Sequence, residues 1–248
     1  MIQLFRKIRQ KLLTENSFSK YLLYAMGEII LVVIGILIAL QINNNNEEKK
    51  QRAKEQAFLQ EINLDFTSNK EQLDSIVEFN KISYHAASRL LEVMKAFDPK
   101  DPKITKANAH FADSIGFYNK LAWRNKSFNP KNGTVEALLN SSSFDLIGND
   151  TLRRNLISWK DVLSDYLEEE EYGANFLFYE YGPWARLHFD PDSDNDPDNV
   201  KALFSKEHRN FIYKRAGDLN NNITAVREEG ILKMINDIIR LTEPVSHD

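Results

Sequence analysis

Apolar residues follow two regimes along this chain. From Tyr21 to Ile42 (YLLYAMGEIILVVIGILIALQI) they are nearly continuous. A helix rises about 1.5 Å per residue, so about 20 apolar residues match a hydrocarbon core about 30 Å thick. The run therefore predicts one transmembrane helix. It ends in ALQINNNNEE, with no small-residue cleavage pattern, which reads as an uncleaved anchor rather than a signal peptide. Beyond Glu47 the pattern becomes periodic. Phe58, Ile62, Phe66, Leu73, Ile76, Leu90 and Met94 follow three- and four-residue steps, with no Pro or Gly as far as Phe97. That predicts a long amphipathic helix able to run on from the span. Asn69, Asn80 and Ser83 weaken its stripe, so a sustained coiled coil is not expected.

DPKDP (98–102) ends this helix, because proline cannot continue it. A second helix is expected over 103–122, with Ile104, Phe111, Ile115 and Tyr118 inward, followed by a loop, RNKSFNPKNG (124–133). Thr134 suits the N-cap of a short helix ending at Leu139, and Asn149 or Asp150 the cap of a longer one from Thr151 to about Tyr181. Gly182-Pro183 should interrupt that helix. A last helix is expected from about Ser205 to Leu241, with Gly217 and Gly230 as kinks. No strand pair is visible. The fold class is all-α, a single N-terminal transmembrane helix followed by an antiparallel helical bundle. Its parts are an amphipathic segment (1–16), the membrane helix (17–44) and the bundle (45–248).

Charge orients this arrangement. The net charge is −4, but residues 1–20 carry Arg6, Lys7, Arg9, Lys11 and Lys20 against Glu15, which leaves −8 on the remainder. Phe5, Ile8 and Leu12 alternate with the basic residues in MIQLFRKIRQKLL, as in a helix lying on an anionic cytoplasmic surface. Positive charge favours the inside, and five Lys/Arg precede the span while four, Lys49, Lys50, Arg52 and Lys54, follow it. The expected topology is single-pass in the inner membrane, with the N-terminus cytoplasmic and the bundle periplasmic. An acidic body with no basic, aromatic-laced stripe excludes nucleic acid as the main partner. The lipid bilayer is the first partner expected.

Glu28 lies inside the span, where a carboxylate costs roughly 2.5–3.5 kcal/mol on insertion scales. Gly27, Gly35 and Ala39 form a small-residue stripe beside it, which lets two helices approach closely. A homo-oligomeric transmembrane contact through Gly27, Glu28, Gly35 and Ala39 would give the acid a partner. The alternative is an acid that snorkels to the nearer interface.

The body offers little recognisable chemistry. Cysteine is absent, which removes disulfides, thiolate metal sites and a cysteine nucleophile. In DPDSDNDPDN, Asp190, Asp192, Asp194, Asp196 and Asp198 alternate as oxygen ligands do in calcium loops. Asn195 replaces the expected Gly and Lys201 the expected bidentate Glu, so a solvated acidic linker competes with a calcium site. Glu78, His85 and Glu92 share a helix face at seven-residue spacing, too far apart for one metal. Glu168 to Glu171 reads as a solvated face, and Ser141 to Ser143 lack a nucleophile motif. The aromatics of FLFYEYGPW (176–184) suit core packing or, if exposed, a recognition surface. No cofactor is expected apart from calcium.

Two stretches carry a resemblance. FRKIRQKLLTENSFSKYLLYAMGEIILVVIGILIALQINN and TVEALLNSSSFDLIGNDTLRRNL (134–156), together about a quarter of the chain, resemble the DUF6090 family, proteins of Bacteroidota without an assigned function. Two departures stand out: Asn43 to Asn46 replace a Trp usual after INN, and Ser141 to Ser143 replace a Gly-containing turn. The resemblance implies an anchored helical protein and carries over no catalytic residue. The expected function is a non-enzymatic interaction, scaffold or sensory module of the cell envelope, acting with an envelope protein still to be identified. The alternative is a metal-assisted hydrolase with a site near the Asp-rich loop.

Overall fold

The computed structural model describes residues 18–96, 115–190 and 197–244. Among them all regular structure is helical. The elements are α1 (Phe18–Ala96), α2 (115–122), α3 (Gly133–Leu139), a 3-10 turn (Ser142–Leu146), α4 (Asp150–Phe176), a π-helical turn (Leu177–Tyr181), α5 (Gly182–His188), α6 (Pro197–Leu203), α7 (Lys206–Glu228) and α8 (Ile231–Thr242). The chain divides into two compact units, residues 1–56 and 57–248. The amphipathic segment expected over 1–16, the DPKDP stop and residues 103–114 of the expected second helix lie outside the described residues.

In the first unit, α1 carries the apolar run. Its best 18-residue window has a mean hydropathy of 2.6, and none of that window is buried. Leu23, Ile29, Leu31 and Leu37 all stand exposed. By length and composition this helix can cross a membrane.

The second unit is built on the other half of α1. Ile62, Phe66, Asn69, Leu73, Ile76, Asn80, Ser83, Ala87, Leu90 and Met94 are all buried. They alternate four- and three-residue steps, so they form one seam along the helix. The three polar residues expected to weaken the stripe therefore belong to it. Ile62, Phe66, Leu73 and Ile76 pack with Leu152, Leu156, Trp159, Leu163 and Tyr166 of α4 and with Ile231, Ile235 and Ile238 of α8. Phe66 meets Trp159 edge-on at 4.8 Å. Farther along, Ala87, Leu90 and Met94 pack with Ile115 and Ala122 of α2 and Ile212 of α7.

The loop between α2 and α3 is strapped down by side chains. Asn69 donates to the Lys131 carbonyl (3.0 Å) and accepts from its N–H (2.7 Å). Glu170 accepts from the Phe128 N–H (2.9 Å) and the Tyr166 hydroxyl (3.0 Å). Phe128 is thereby buried.

Four local expectations change. Thr134 does not cap α3: its hydroxyl donates to Asp65 (2.6 Å), and Asn132 holds the cap position while its side chain accepts from Trp159 Nε1 (2.8 Å). Gly182-Pro183 does not end the helix. The Gly182 N–H reaches back to the Leu177 carbonyl in a π-turn, and Pro183 then falls in the first turn of α5, where its missing N–H costs nothing. A Cβ at Gly182 would stand 3.0 Å from the Leu177 carbonyl oxygen, so a larger residue would have to open the turn by a few tenths of an ångström. The last helix is two, separated at Gly230 with φ 77, a left-handed value that glycine adopts without strain. Gly217 sits inside α7 and does not divide it. Asn149 caps α4 as expected, accepting from the Thr151 and Leu152 N–H groups, and Ser205 caps α7.

Candidate functional site

Two places in the second unit gather polar and aromatic groups from several elements. The first is an aromatic box. Residues 176–184 supply Phe176, Tyr181 and Trp184; Trp123 follows α2; His208 sits in the first turn of α7. Trp123 stacks on Tyr181 with centroids 3.4 Å apart and planes at 8°. Trp184 lies parallel to His208 (5.5 Å, 6°) and to His188 (4.5 Å, 16°). Phe189 meets the His208 ring edge-on at 5.6 Å. The box is held by hydrogen bonds at its edges. Asn119 accepts from Trp123 Nε1 (2.9 Å), and Trp184 Nε1 donates to Glu207 (3.2 Å).

His208 is completely buried. Its Nδ1 lies 2.8 Å from the Leu203 carbonyl, which sets that nitrogen as the N–H of a neutral ring. Its Nε2 meets no partner among the described residues. Burial pushes its pKa down to about 4, and the Leu203 carbonyl opposes this only in part. Burial likewise pushes the Tyr181 hydroxyl above its ordinary value, with a hydrogen bond to Asn119 opposing.

Arg215, about two turns of α7 beyond His208, is 1% exposed. Its Nε donates to the Ala122 carbonyl (3.2 Å) and its Nη2 to the Arg124 carbonyl (2.6 Å). These carbonyls are at and just past the end of α2, where backbone acceptors lack helical donors and a cation suits the dipole. Burial pulls the guanidinium down to about 10, with Asp218 opposing, so it stays charged at neutral pH. Its work is structural: it fastens α2 to α7.

The second place is a cleft of about 550 Å³ between α1 and α2. Ile82, His85, Ala86 and Arg89 recur on one face of α1 at helical spacing, with Ser88 and Glu92 beside them; α2 adds Tyr118 and Leu121. Arg89 Nη1 donates to Glu92 at 2.7 Å. That carboxylate raises the guanidinium pKa, with a small contribution from Tyr118. The lining combines the apolar side chains of Ile82, Ala86 and Leu121 with this charge pair.

Other candidate residues are placed as follows. Glu28, Gly35 and Ala39 are exposed on α1, and nothing stands within 4 Å of a Cβ built at Gly27 or Gly35. Asp190 and Asp198 are exposed, whereas Asp192, Asp194 and Asp196 lie outside the described residues. Asp190 is tied by its backbone: its N–H donates to Asn199 Oδ1 (2.7 Å) and its carbonyl accepts from Asn199 Nδ2 (2.8 Å). Among the described residues no three His, Asp or Glu side chains are placed to share a metal ion. Within the acidic run, Glu170 turns inward; burial raises its pKa while the Phe128 N–H and Tyr166 hydroxyl hold it down. Ser141 caps the 3-10 turn. His85 and Glu92 are exposed as expected, but they share the cleft wall with Arg89, which the sequence did not single out, and with Tyr118, which it placed only on the inner face of the second helix.

A model of a family of unknown function, DUF6090, matches residues 28–157. No curated protein and no solved structure matches the chain.

Proposed function

This chain belongs to the DUF6090 family, a family of unknown function, and from that premise we propose that it is a membrane-anchored, non-enzymatic interaction or sensory module of the cell envelope. The observation that carries this reading is the unburied apolar run of α1. More than 20 residues from Leu22 onward present Leu, Ile and Val outward with no protein against them, a surface that a bilayer covers and water does not. The basic residues before the span support an N-terminus in the cytoplasm and a body in the periplasm, anchored in the inner membrane. We read the body as an antiparallel helical bundle, which fits the packing of α4 against both α7 and α8 and the single-glycine turn joining those two.

The open face at Gly27, Glu28, Gly35 and Ala39 suits self-association in the membrane, where a carboxylate from one copy finds a hydrogen-bond partner on another. Glu28→Leu or Gly35→Leu should then weaken the signal in a membrane two-hybrid assay, and an unchanged signal would remove the contact. The anchoring itself is tested by single cysteines in this cysteine-free chain. One is placed at Gln3 and one at Lys160, which is exposed and lies on the outer face of α4. An impermeant maleimide on intact cells should label the second site and not the first. The reverse pattern would put the body in the cytoplasm and overturn the envelope reading.

A further inference from the structure

We propose that the cleft between α1 and α2 binds a free α-amino acid with an apolar side chain. This goes beyond the anchored-module reading and stands without it, because every residue used belongs to the second unit. Three features lead to the ligand. The volume, about 550 Å³, falls in the range of about 300–1,000 Å³ usual for small-molecule sites. The lining includes an apolar part, made by Ile82, Ala86 and Leu121. The wall carries one cation and one anion, Arg89 and Glu92, in direct contact at 2.7 Å.

That pair selects the head group. A guanidinium has five N–H donors, and a carboxylate accepts at both oxygens, so neither is saturated by the other. A simple anion would gain from Arg89 but meet the charge of Glu92; a simple cation has the opposite conflict. A zwitterion whose ammonium and carboxylate hang from one carbon satisfies both, with carboxylate on Arg89 and ammonium on Glu92. Groups that lie so close together in the ligand match groups that lie so close together in the wall. In a dipeptide the two termini are a full residue farther apart, and they would not bridge the pair. The Tyr118 hydroxyl, which approaches Arg89, adds a donor for the same carboxylate. The ligand's side chain then lies against Ile82, Ala86 and Leu121.

The test is isothermal titration calorimetry of the full chain in nanodiscs with L-phenylalanine and L-leucine. At least one should bind saturably. N-acetyl-L-phenylalanine and L-phenylalaninamide, each lacking one charge, should bind about tenfold more weakly or worse, as loss of a charge-assisted hydrogen bond implies. Glu92→Gln and Arg89→Gln should weaken the free amino acid similarly. Both side chains are exposed, and circular dichroism checks that each variant stays helical. Ile82→Trp, which crowds the apolar part of the lining and leaves the charge pair intact, should also block binding. The capped ligands need no variant at all. Absence of saturable binding by both amino acids at millimolar concentration overturns the proposal. So does equal affinity for the N-acetyl form, or affinity unchanged by Glu92→Gln.

Discussion

The sharpest expectation concerns His208 and acid. In the folded chain the imidazole is stacked between aromatic rings, completely buried, and titrates at about 4 rather than 6.5. Burial disfavours the charged ring, and its place in the first turn of α7 disfavours a cation further. In the unfolded chain the ring takes a proton near its ordinary value. Between those two pH values the unfolded state therefore binds more protons than the folded one, so stability falls as pH falls. The contribution of the neutral ring is fully present above about pH 6.5 and fully lost below about pH 4. One pH unit is worth about 1.4 kcal/mol, so the whole window is worth about 3 kcal/mol. That is a large part of the 5–15 kcal/mol or so that holds a typical domain folded. The perturbation that isolates this contribution is His208→Phe, which keeps an aromatic ring in the box and removes the titration. Urea unfolding of the full chain in detergent micelles can be followed by tryptophan fluorescence, since Trp123 and Trp184 both face His208. Whatever the variant costs at about pH 7.5, the gap to wild type should move by about 3 kcal/mol in the variant's favour by about pH 4. Parallel profiles would refute the reasoning, and so would an NMR titration that finds His208 protonating near 6.5.

Other expectations follow from single positions. Gly173 faces α7, where an added Cβ would meet Asp218 Cβ at 3.6 Å and Asn222 Nδ2 at 3.8 Å, ordinary contacts; Gly173→Ala should stabilise by about 0.5–1 kcal/mol in urea unfolding. Gly230→Ala should do the reverse by about 1–2 kcal/mol, because its left-handed backbone strains any side chain. Arg215→Leu should cost about 2–4 kcal/mol, since it strands the Ala122 and Arg124 carbonyls. Millimolar calcium should leave the melting temperature unchanged, because the Asp190–Asn199 hydrogen bonds close the ends of the acidic loop by themselves; a rise of several degrees would put a cation there.

What could be read from the sequence divides along a physical line. Spacing was legible wherever one helix buries one face, because the geometry of that face is local. The seam of α1, the stripe Leu152–Leu156–Trp159–Leu163–Tyr166 and the cap Asn149 all belong to this class. Residues whose role depends on a distant partner were misread by their type. Asn69 looked like a break in the seam, yet its amide is satisfied by Lys131, 62 residues away. Glu170 looked like one of four solvated acids, yet it continues the four- and three-residue steps from Leu163 and Tyr166 to Gly173, and it finds Phe128 42 residues back. Position on the stripe was the available signal in both cases, and it outweighed polarity. The π-turn before Gly182 had no such signal. Gly-Pro reads as a stop because an α-helix cannot accept proline, and nothing local announces the extra residue that shifts Pro183 into a new first turn. Both gathering places depend on that same long-range matching. Residues 176–184 were legible as an aromatic cluster, but Trp123 and His208, which complete it, come from the turn after α2 and from α7. His85 and Glu92 were legible as one exposed face. Only the placing of α2 beside them, with Tyr118 and Leu121, turns that face into the wall of a cleft. The chemistry of this chain therefore sits between helices, where a one-dimensional pattern names one side and is silent on the other.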